Sequence, residues 1–520
     1  MDKKFSQKYF IDHCLIIFFA FFINYYFGSI GVLPQDTFAY FDTGYRVLNG
    51  AAPFKDYWTV SGPFLDYFQA ILFYLFGISW KSYILSGSLL NVLITIVLYH
   101  VFAKHGLQRI NNLFYCFCFS ILANPSMGSP FTDHFSSFFS LAAILLFLLS
   151  IKENLIRYYL AIPFLFFIAF FSKQTPATYL FFSFILILFV YYSLYKKFPF
   201  IKYFIISSVL CVGIFFLFLI INSISLENFI SQYILYPRTI GLERWKNYNL
   251  NINDILNNFK FLYLILIFVI ANIFFQFKDK KIRKEKDKFI INFTLIVITI
   301  SFIFHQVLTM NFIFIFFLIP LIAGFMHINY SKKNKYYFLI SIFLISITLI
   351  STVKYHLRFN ENRKMLNLEK VNLELSIDGK KIDKSLKGLK WITKNYSQDP
   401  AREIFFLNKM INLIQEDQNN IMLYSDYLFL SALINKDLKT PTRWPSQEDA
   451  SNPTKDEKYH SIYIKFIKDL ILKKNIEVIY STIEARYDVF NLIFDKKCRK
   501  SEVINELLTK HDIRNCKIVK

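Results

Sequence analysis

The sequence predicts a mainly α, polytopic membrane protein of about eleven transmembrane helices, ending in a water-exposed α/β domain. Three observations lead there. Of the 520 residues 55% are hydrophobic and 19% aromatic, a balance that argues against a purely soluble chain. Apolar runs long enough to cross a bilayer recur up to about residue 353. Beyond that point the chain turns polar and charged, without another run of spanning length.

The apolar runs fall near 13–33, 82–103, 107–123, 135–151, 158–172, 177–195, 201–222, 259–277, 289–304, 312–328 and 336–353. The N-terminal stretch "MDKKFSQKYF" leads into the first without a small-residue cleavage pattern, so a retained span is expected rather than a signal peptide. A further candidate, "FLDYFQAILFYLFG" at 64–77, is shorter and carries Asp66 and Gln69. Charge decides its place. With eleven spans and a cytoplasmic N-terminus, 20 of the 28 Lys and Arg before residue 354 collect on the cytoplasmic side, as the positive-inside tendency requires. They include Lys3, Lys4 and Lys8, the cluster "KDKKIRKEKDK" (278–288) and "KKNK" (332–335). Counting 64–77 as a span reverses every later loop, so it is read as a re-entrant or surface-lying helix. The formal charge of +22 is then mostly a topology signal, and nucleic acid is not implied.

This orientation divides the chain into a membrane module, 1–353, with an outer loop at 34–81, and an outer region, 354–520. In the outer region "NIMLYSD", "IEVIYST" and "CKIV" read as strands between amphipathic helices at 402–416 and 457–473, which makes a small α/β domain. No internal repeat or low-complexity tract is visible. Cys14, Cys116, Cys118 and Cys211 fall in spans, where cysteine is most simply a small apolar residue. Cys498 and Cys516 lie in the outer region and either pair or remain two free thiols.

Polar groups gather on the outer face. The loop "GVLPQDTFAYFDTGYRVLNGAAPFKDYWTVSGPF" (31–64) carries Asp36, Asp42 and Asp56, with Arg46 and Lys55; Asp66 follows. Most loop carboxylates are simply solvated, but aromatic and Gly/Pro turn residues bracket Asp36 and Asp56. "NPSMGSPFTDHF" (124–135) brings Asp133 and His134 to the mouth of the next span, either as a metal-holding or orienting pair or as a helix cap. "FFSKQTPATY" (170–179) interrupts an apolar stretch with Lys173 and Gln174. Lys173 either snorkels or meets a lipid phosphate. "YILYPRTIGLERWKNY" (233–248) holds Arg238 and Arg244 among interfacial aromatics, where arginine clamps phosphate well. "FHQVLTMNF" (304–312) adds His305, as turn chemistry or a substrate contact.

The first span followed by "PQDTFAYFDTGYRVLNGAAPFKDYWTVSGPFLDYFQAILFYLFG" resembles the GT-C superfamily, as do "TDHF" and "SKQTPATY". These are polytopic glycosyltransferases using polyprenyl-phosphate sugars, such as protein O-mannosyltransferases and lipid A aminoarabinose transferases. The resemblance covers roughly residues 1–353 in organisation, and an outer C-terminal domain also matches their layout. It implies Asp36 as the catalytic carboxylate, Asp133 as the second-loop acid and Lys173 as the donor-phosphate contact, with Arg238 and Arg244 beside it. Asp42, Asp56, His134, Gln174 and His305 are supporting candidates. Many relatives carry an Asp-Glu pair in the first loop. Here Thr37 follows Asp36, which supports a lone base rather than a metal-binding pair.

The implied activity is sugar transfer from a polyprenyl-phosphate donor to a lipid, glycan or protein acceptor; the resemblance specifies no cofactor, and a divalent cation, Mg or Mn, is compatible with it. The implied place is a bacterial inner membrane, with the N-terminus cytoplasmic and the C-terminal domain periplasmic. A transporter or flippase of lipid-linked glycans is the second reading, but it calls for polar residues at mid-membrane and often for internal repeats. A polymerase or ligase of surface polysaccharide shares the outer-face site.

Overall fold

The computed structural model describes residues 3–123, 128–197, 201–246, 251–312, 314–330, 336–446, 450–455, 457–482, 487–495 and 497–517. The basic loop 332–335, positions 124–127 and 247–248 of the outer loops, and the side chains of Lys3, Lys4 and Lys8 lie outside the described residues. In chain order the helices begin with α1 (Lys3–Gly28), α2 (Pro34–Thr37), α3 (Ala39–Leu48), α4 (Phe64–Phe76), α5 (Trp80–Lys104), α6 (Arg109–Ala123) and α7 (Thr132–Glu153). There follow α8 (Ile156–Ser172), α9 (Gln174–Tyr195), α10 (Ile201–Ile221), α11 (Leu226–Phe229), α12 (Tyr236–Lys246), α13 (Ile252–Lys278) and α14 (Lys286–Thr309). The last are α15 (Leu318–Asn329), α16 (Tyr337–His356), α17 (Pro400–Glu416), α18 (Leu430–Leu433), α19 (His460–Lys473) and α20 (Tyr487–Ile493).

Every one of the eleven apolar runs contains a helix. Eight of these helices (α1, α5, α7, α9, α10, α13, α14 and α16) are long and apolar enough to cross a membrane. The other three, α6, α8 and α15, have 15, 17 and 12 residues. At about 1.5 Å per residue each falls short of a hydrocarbon core of about 30 Å. The chain is therefore a multi-pass helical membrane protein with eight candidate spans among the described residues. Segment 64–77 forms α4, which buries Leu65, Asp66, Gln69 and Phe73 and exposes Ile71, Tyr74 and Phe76. That two-faced pattern suits a helix lying on a surface.

The chain divides into two compact units. The first comprises 1–28, 87–216 and 244–365; the second comprises 29–86, 217–243 and 366–520. In the first, α7 is buried along most of its length. Ser136, Ser137, Ser140, Ala142 and Ala143 are the small side chains that let neighbouring helices approach. Buried amides tie the helices together. Asn91 Nδ2 donates to the carbonyls of Ala20 (3.1 Å) and Ser120 (2.9 Å), joining α5 to α1 and α6. Gly128 has φ +70°, and a Cβ there would lie 1.9 Å from the Gly28 Cα, so the close approach requires glycine. On α10, by contrast, Ile205, Val209 and Val212 are more than half exposed, as lipid-facing residues are.

The second unit contains two sheets. One is the antiparallel pair β1 (Ile377–Asp378) and β2 (Lys390–Trp391). The other has four strands, β3 (Ile421–Tyr424), β4 (Val478–Ser481), β5 (Lys500–Val503) and β6 (Thr509–Asp512), in the order β3-β4-β6-β5. β3 and β4 run parallel, with Ile421 opposite Val478, and the connection between them carries α19, as a parallel pair requires. Both are buried at every position, which explains why they were legible as apolar runs. β5 and β6 are antiparallel and polar, "KSEV" and "TKHD", and Lys500 and Glu502 mark β5 as a charged edge. Apolar patterning points instead to "CKIV" at 516–519, but Cys516 and Lys517 are not strand, and 518–519 lie outside the described residues. Cys498 and Cys516 form a disulfide across the β5–β6 hairpin. A disulfide fits an extracytoplasmic location.

Two segments of the outer loop belong to this unit's core. Gly31 N donates to Lys390 O (3.0 Å) and Val32 N to Ile392 O (2.9 Å). Further on, Trp58 N donates to Pro441 O (2.8 Å) and Arg443 N to Trp58 O (3.1 Å). The Trp58 ring packs with Tyr463, Ile467, Met422 and Ile479 between α19 and the sheet, with Tyr236 of α12 against it. Burying an aromatic of this size makes the loop a fixed part of the domain.

Candidate functional site

In the first unit, α8 stops at Ser172, Lys173 is extended (φ −157°), and α9 begins at Gln174. Ser136 of α7 holds this turn: its hydroxyl donates to Lys173 O (3.0 Å) and accepts from Ala177 N (3.2 Å). The turn thereby aims Lys173 at Asp133, one helical turn earlier on α7. Lys173 Nζ donates to Asp133 Oδ2 at 2.6 Å, and His305 Nε2 of α14 faces Asp133 Oδ1 at 3.1 Å. The Asp133 and His305 side chains are buried, whereas Lys173 remains 27% exposed. An ammonium has three donors, and Asp133 takes one. The positive charge of Arg244, itself exposed at the end of α12, acts on His305 and Tyr179.

In the same unit α8, α9 and α10 form an apolar groove of about 350 Å³. Phe166, Phe170, Phe181, Phe182 and Cys211 line it, as does Ala177, four residues beyond Lys173 in the chain. His134 is buried with neither ring nitrogen hydrogen-bonded, and its ring packs edge-on against Phe314 at 5.0 Å. It serves the packing of α7. Gln174 is half-buried at the start of α9.

In the second unit Asp36 sits half-buried in the single turn α2. Pro34 starts the turn, and Thr37 Oγ1 accepts the Leu33 N–H at 3.0 Å. Tyr83 anchors it by donating to Thr37 O at 2.7 Å. The other loop acids do structural work. Asp42 is buried 3.8 Å from Arg46 Nη1, and burial pushes its carboxyl up to about 6, more than Arg46 pulls it down. Arg46 also donates to Thr440 O (2.7 Å) and Asp56 O (3.1 Å), and stacks on Tyr57. Asp56 Oδ2 accepts Ala52 N at 3.0 Å, closing its own turn. Arg238 lies in this unit and is exposed.

Sequence reasoning missed the strongest electrostatic feature of this unit. Asp66 and Arg443 are both fully buried and form an ion pair. Asp66 also accepts Thr43 Oγ1 (2.6 Å) and Tyr57 OH (3.0 Å), and Arg443 donates to Ser61 and stacks on Tyr40. α3 meets α4 at Gly44, where a Cβ would lie 2.7 Å from Gln69 Cγ. With Asp66 and Arg443 separated by 377 positions, no spacing rule links them. The one available signal was an arginine flanked by Pro, Thr and Trp in "TPTRWP".

The donor set around Asp36 does not fit a divalent cation. The neighbouring Thr37 hydroxyl is used within the turn, and among the described residues no three His, Cys, Asp or Glu side chains converge as metal ligands. The arrangement offers separate tools: a half-buried carboxylate on a rigid turn, a lysine held by a carboxylate–histidine pair, and an apolar groove. Comparison with protein families finds no match, and neither does comparison with curated proteins. On its own structure the chain is a multi-pass helical membrane protein with a small, disulfide-bonded C-terminal α/β region.

Proposed function

We propose that the protein is a membrane glycosyltransferase that moves a sugar from a polyprenyl-phosphate donor to a lipid, glycan or protein acceptor on the extracytoplasmic face. The observation that carries this reading is the Lys173 cluster. A partly exposed ammonium just before α9, fixed by Asp133, and a phenylalanine-lined groove formed by α8, α9 and α10 occur in the same unit. A phosphate ester with a long hydrocarbon chain needs that combination: a cation for the head and an apolar trough for the tail. The eleven-span topology, with outer loop and C-terminal region both periplasmic, belongs to the same proposal and rests on the charge distribution.

In this reading an acceptor hydroxyl or amine attacks the anomeric carbon. The bond from that carbon to the phosphate oxygen breaks, and the electron pair leaves with the polyprenyl phosphate. The acceptor's proton goes to a general base, the role that the sequence resemblance gives to Asp36. Lys173, with Arg244 near it, stabilises the charge that grows on the departing phosphate. The transition state is oxocarbenium-like, and a single displacement inverts the anomeric centre. Asp133 and His305 act by positioning the lysine.

Lys173→Met tests the reading. In proteoliposomes supplied with a radiolabelled polyprenyl-phosphate sugar, it should lower transfer at least tenfold and weaken donor binding, while membrane insertion stays intact. Unchanged transfer by the variant would remove the support on which the reading rests.

A further inference from the structure

The second unit contains a larger cavity than the groove, about 680 Å³, within the size range of small-molecule sites. Its floor lies past the carboxyl ends of the parallel strands. Asp426 and Tyr427 follow β3, and Thr482 follows β4. In α/β sheets this is where ligands bind, because the strand-end loops diverge there and leave a crevice. The start of α17 and the β5–β6 hairpin close two sides. The remaining wall is Leu33, Pro34 and Gln35, the residues immediately before Asp36.

The chemistry of the lining is that of a polyhydroxyl site. Its three carboxylates are each partly compensated. Asp399 Oδ1 accepts the Arg402 N–H (3.1 Å), Asp426 Oδ1 accepts the Ser446 N–H (3.2 Å), and Glu506 pairs with Arg402. A carboxylate has two oxygens with about four acceptor positions and takes hydroxyl donors readily, and one already compensated has less need of a new cation. Two tyrosine rings complete the lining. Tyr427 is held in place by donating to the buried Glu403 (2.7 Å), which also accepts Trp391 Nε1 (2.9 Å) and the Thr393 hydroxyl (2.8 Å). Tyr396, half-exposed, also lines the cavity. A preorganised ring face beside hydroxyl acceptors suits a sugar, apolar on its C–H face and polar at its edge.

We infer that this cavity binds the sugar residues of a glycan acceptor and leads them to the Asp36 turn. The inference rests on the transferase reading for its purpose, but not for its test. The full-length protein in detergent micelles, with no donor present, is examined by saturation-transfer NMR against chitotriose, maltotriose and mannotriose, with tetralysine as the competing chemistry. Binding of at least one trisaccharide is expected, weakened at least tenfold by Asp426→Asn and by Tyr396→Ala and unchanged by Glu502→Gln on the exposed edge strand. As a second measurement that does not depend on those variants folding, a rim cysteine, Asn395→Cys, should react with a membrane-impermeant maleimide at least threefold more slowly when the trisaccharide is bound. Absence of trisaccharide binding, preference for tetralysine, or binding insensitive to both lining variants and without protection at the rim overturns the inference. Sugar transfer that persists without such binding sinks the cavity's role alone. Binding without transfer sinks the transferase reading alone.

Discussion

Replacing Asp66 with Asn leaves the Arg443 guanidinium without its carboxylate in a place where both side chains are fully buried. Arginine cannot shed its proton, so the charge stays. Removing one partner of a buried pair costs about 3–5 kcal/mol. The upper half of that range applies here, because the amide also replaces an acceptor for Thr43 and Tyr57 with a group that has a donor end. The reverse change, Arg443→Met, leaves a carboxyl group that burial already pushes upward and that can take up a proton. It should therefore cost about 1–2 kcal/mol less, order-of-magnitude values read from the same penalty. The gap should widen as pH falls, since only the arginine variant recovers by protonation. Combining the two changes should show a coupling of about 2–3 kcal/mol. The assay is urea unfolding of the full chain in detergent, followed by protease resistance of the C-terminal region, at pH 7.5 and pH 5. Additivity within about 0.5 kcal/mol, or equal costs at both pH values, would refute the buried-pair argument.

Asp42 titrates in the opposite sense to a salt-bridged acid. Its folded carboxyl is raised to about 6, so the folded state binds the proton more tightly and this group's contribution grows as pH drops from 7.5 toward 5. Asp42→Asn should abolish that gain: the stability of the wild type relative to the variant should rise on acidification, measured as the difference in unfolding midpoint. The Cys498–Cys516 disulfide closes an 18-residue separation, worth about 3 kcal/mol in the chain-entropy picture. Cys498→Ser with Cys516→Ser should lower the unfolding free energy of the C-terminal region by about that amount, while leaving protein extracted under reducing and non-reducing conditions indistinguishable.

Helices and the polar C-terminal region were legible because their signals are local. An apolar run of twenty residues declares itself, and β3 and β4 are short runs buried on both faces. The polar strands β5 and β6 were not legible, because their identity comes from pairing with β4 rather than from their own side chains. Nor was the insertion of the first loop into the C-terminal core. Trp58 against Tyr463, and Asp66 against Arg443, are contacts between segments about four hundred residues apart. On the site side, Asp133, Lys173 and His305 stood out singly as polar residues at the outer ends of spans, and the structure brings them within hydrogen-bonding distance. His134 looked equally functional in sequence, yet packs as an aromatic ring. Periodicity alone does not separate a buried histidine with a carboxylate partner from one without.

The most direct test of the account is a single-turnover transfer assay with the purified protein and a radiolabelled polyprenyl-phosphate sugar, comparing wild type with Asp36→Asn. General-base assistance is worth on the order of 10²–10⁴ in rate. The account expects labelled acceptor from the wild type and a loss of at least a hundredfold in the variant, an order of magnitude taken from that range, with donor binding retained. Transfer by Asp36→Asn at the wild-type rate would contradict it.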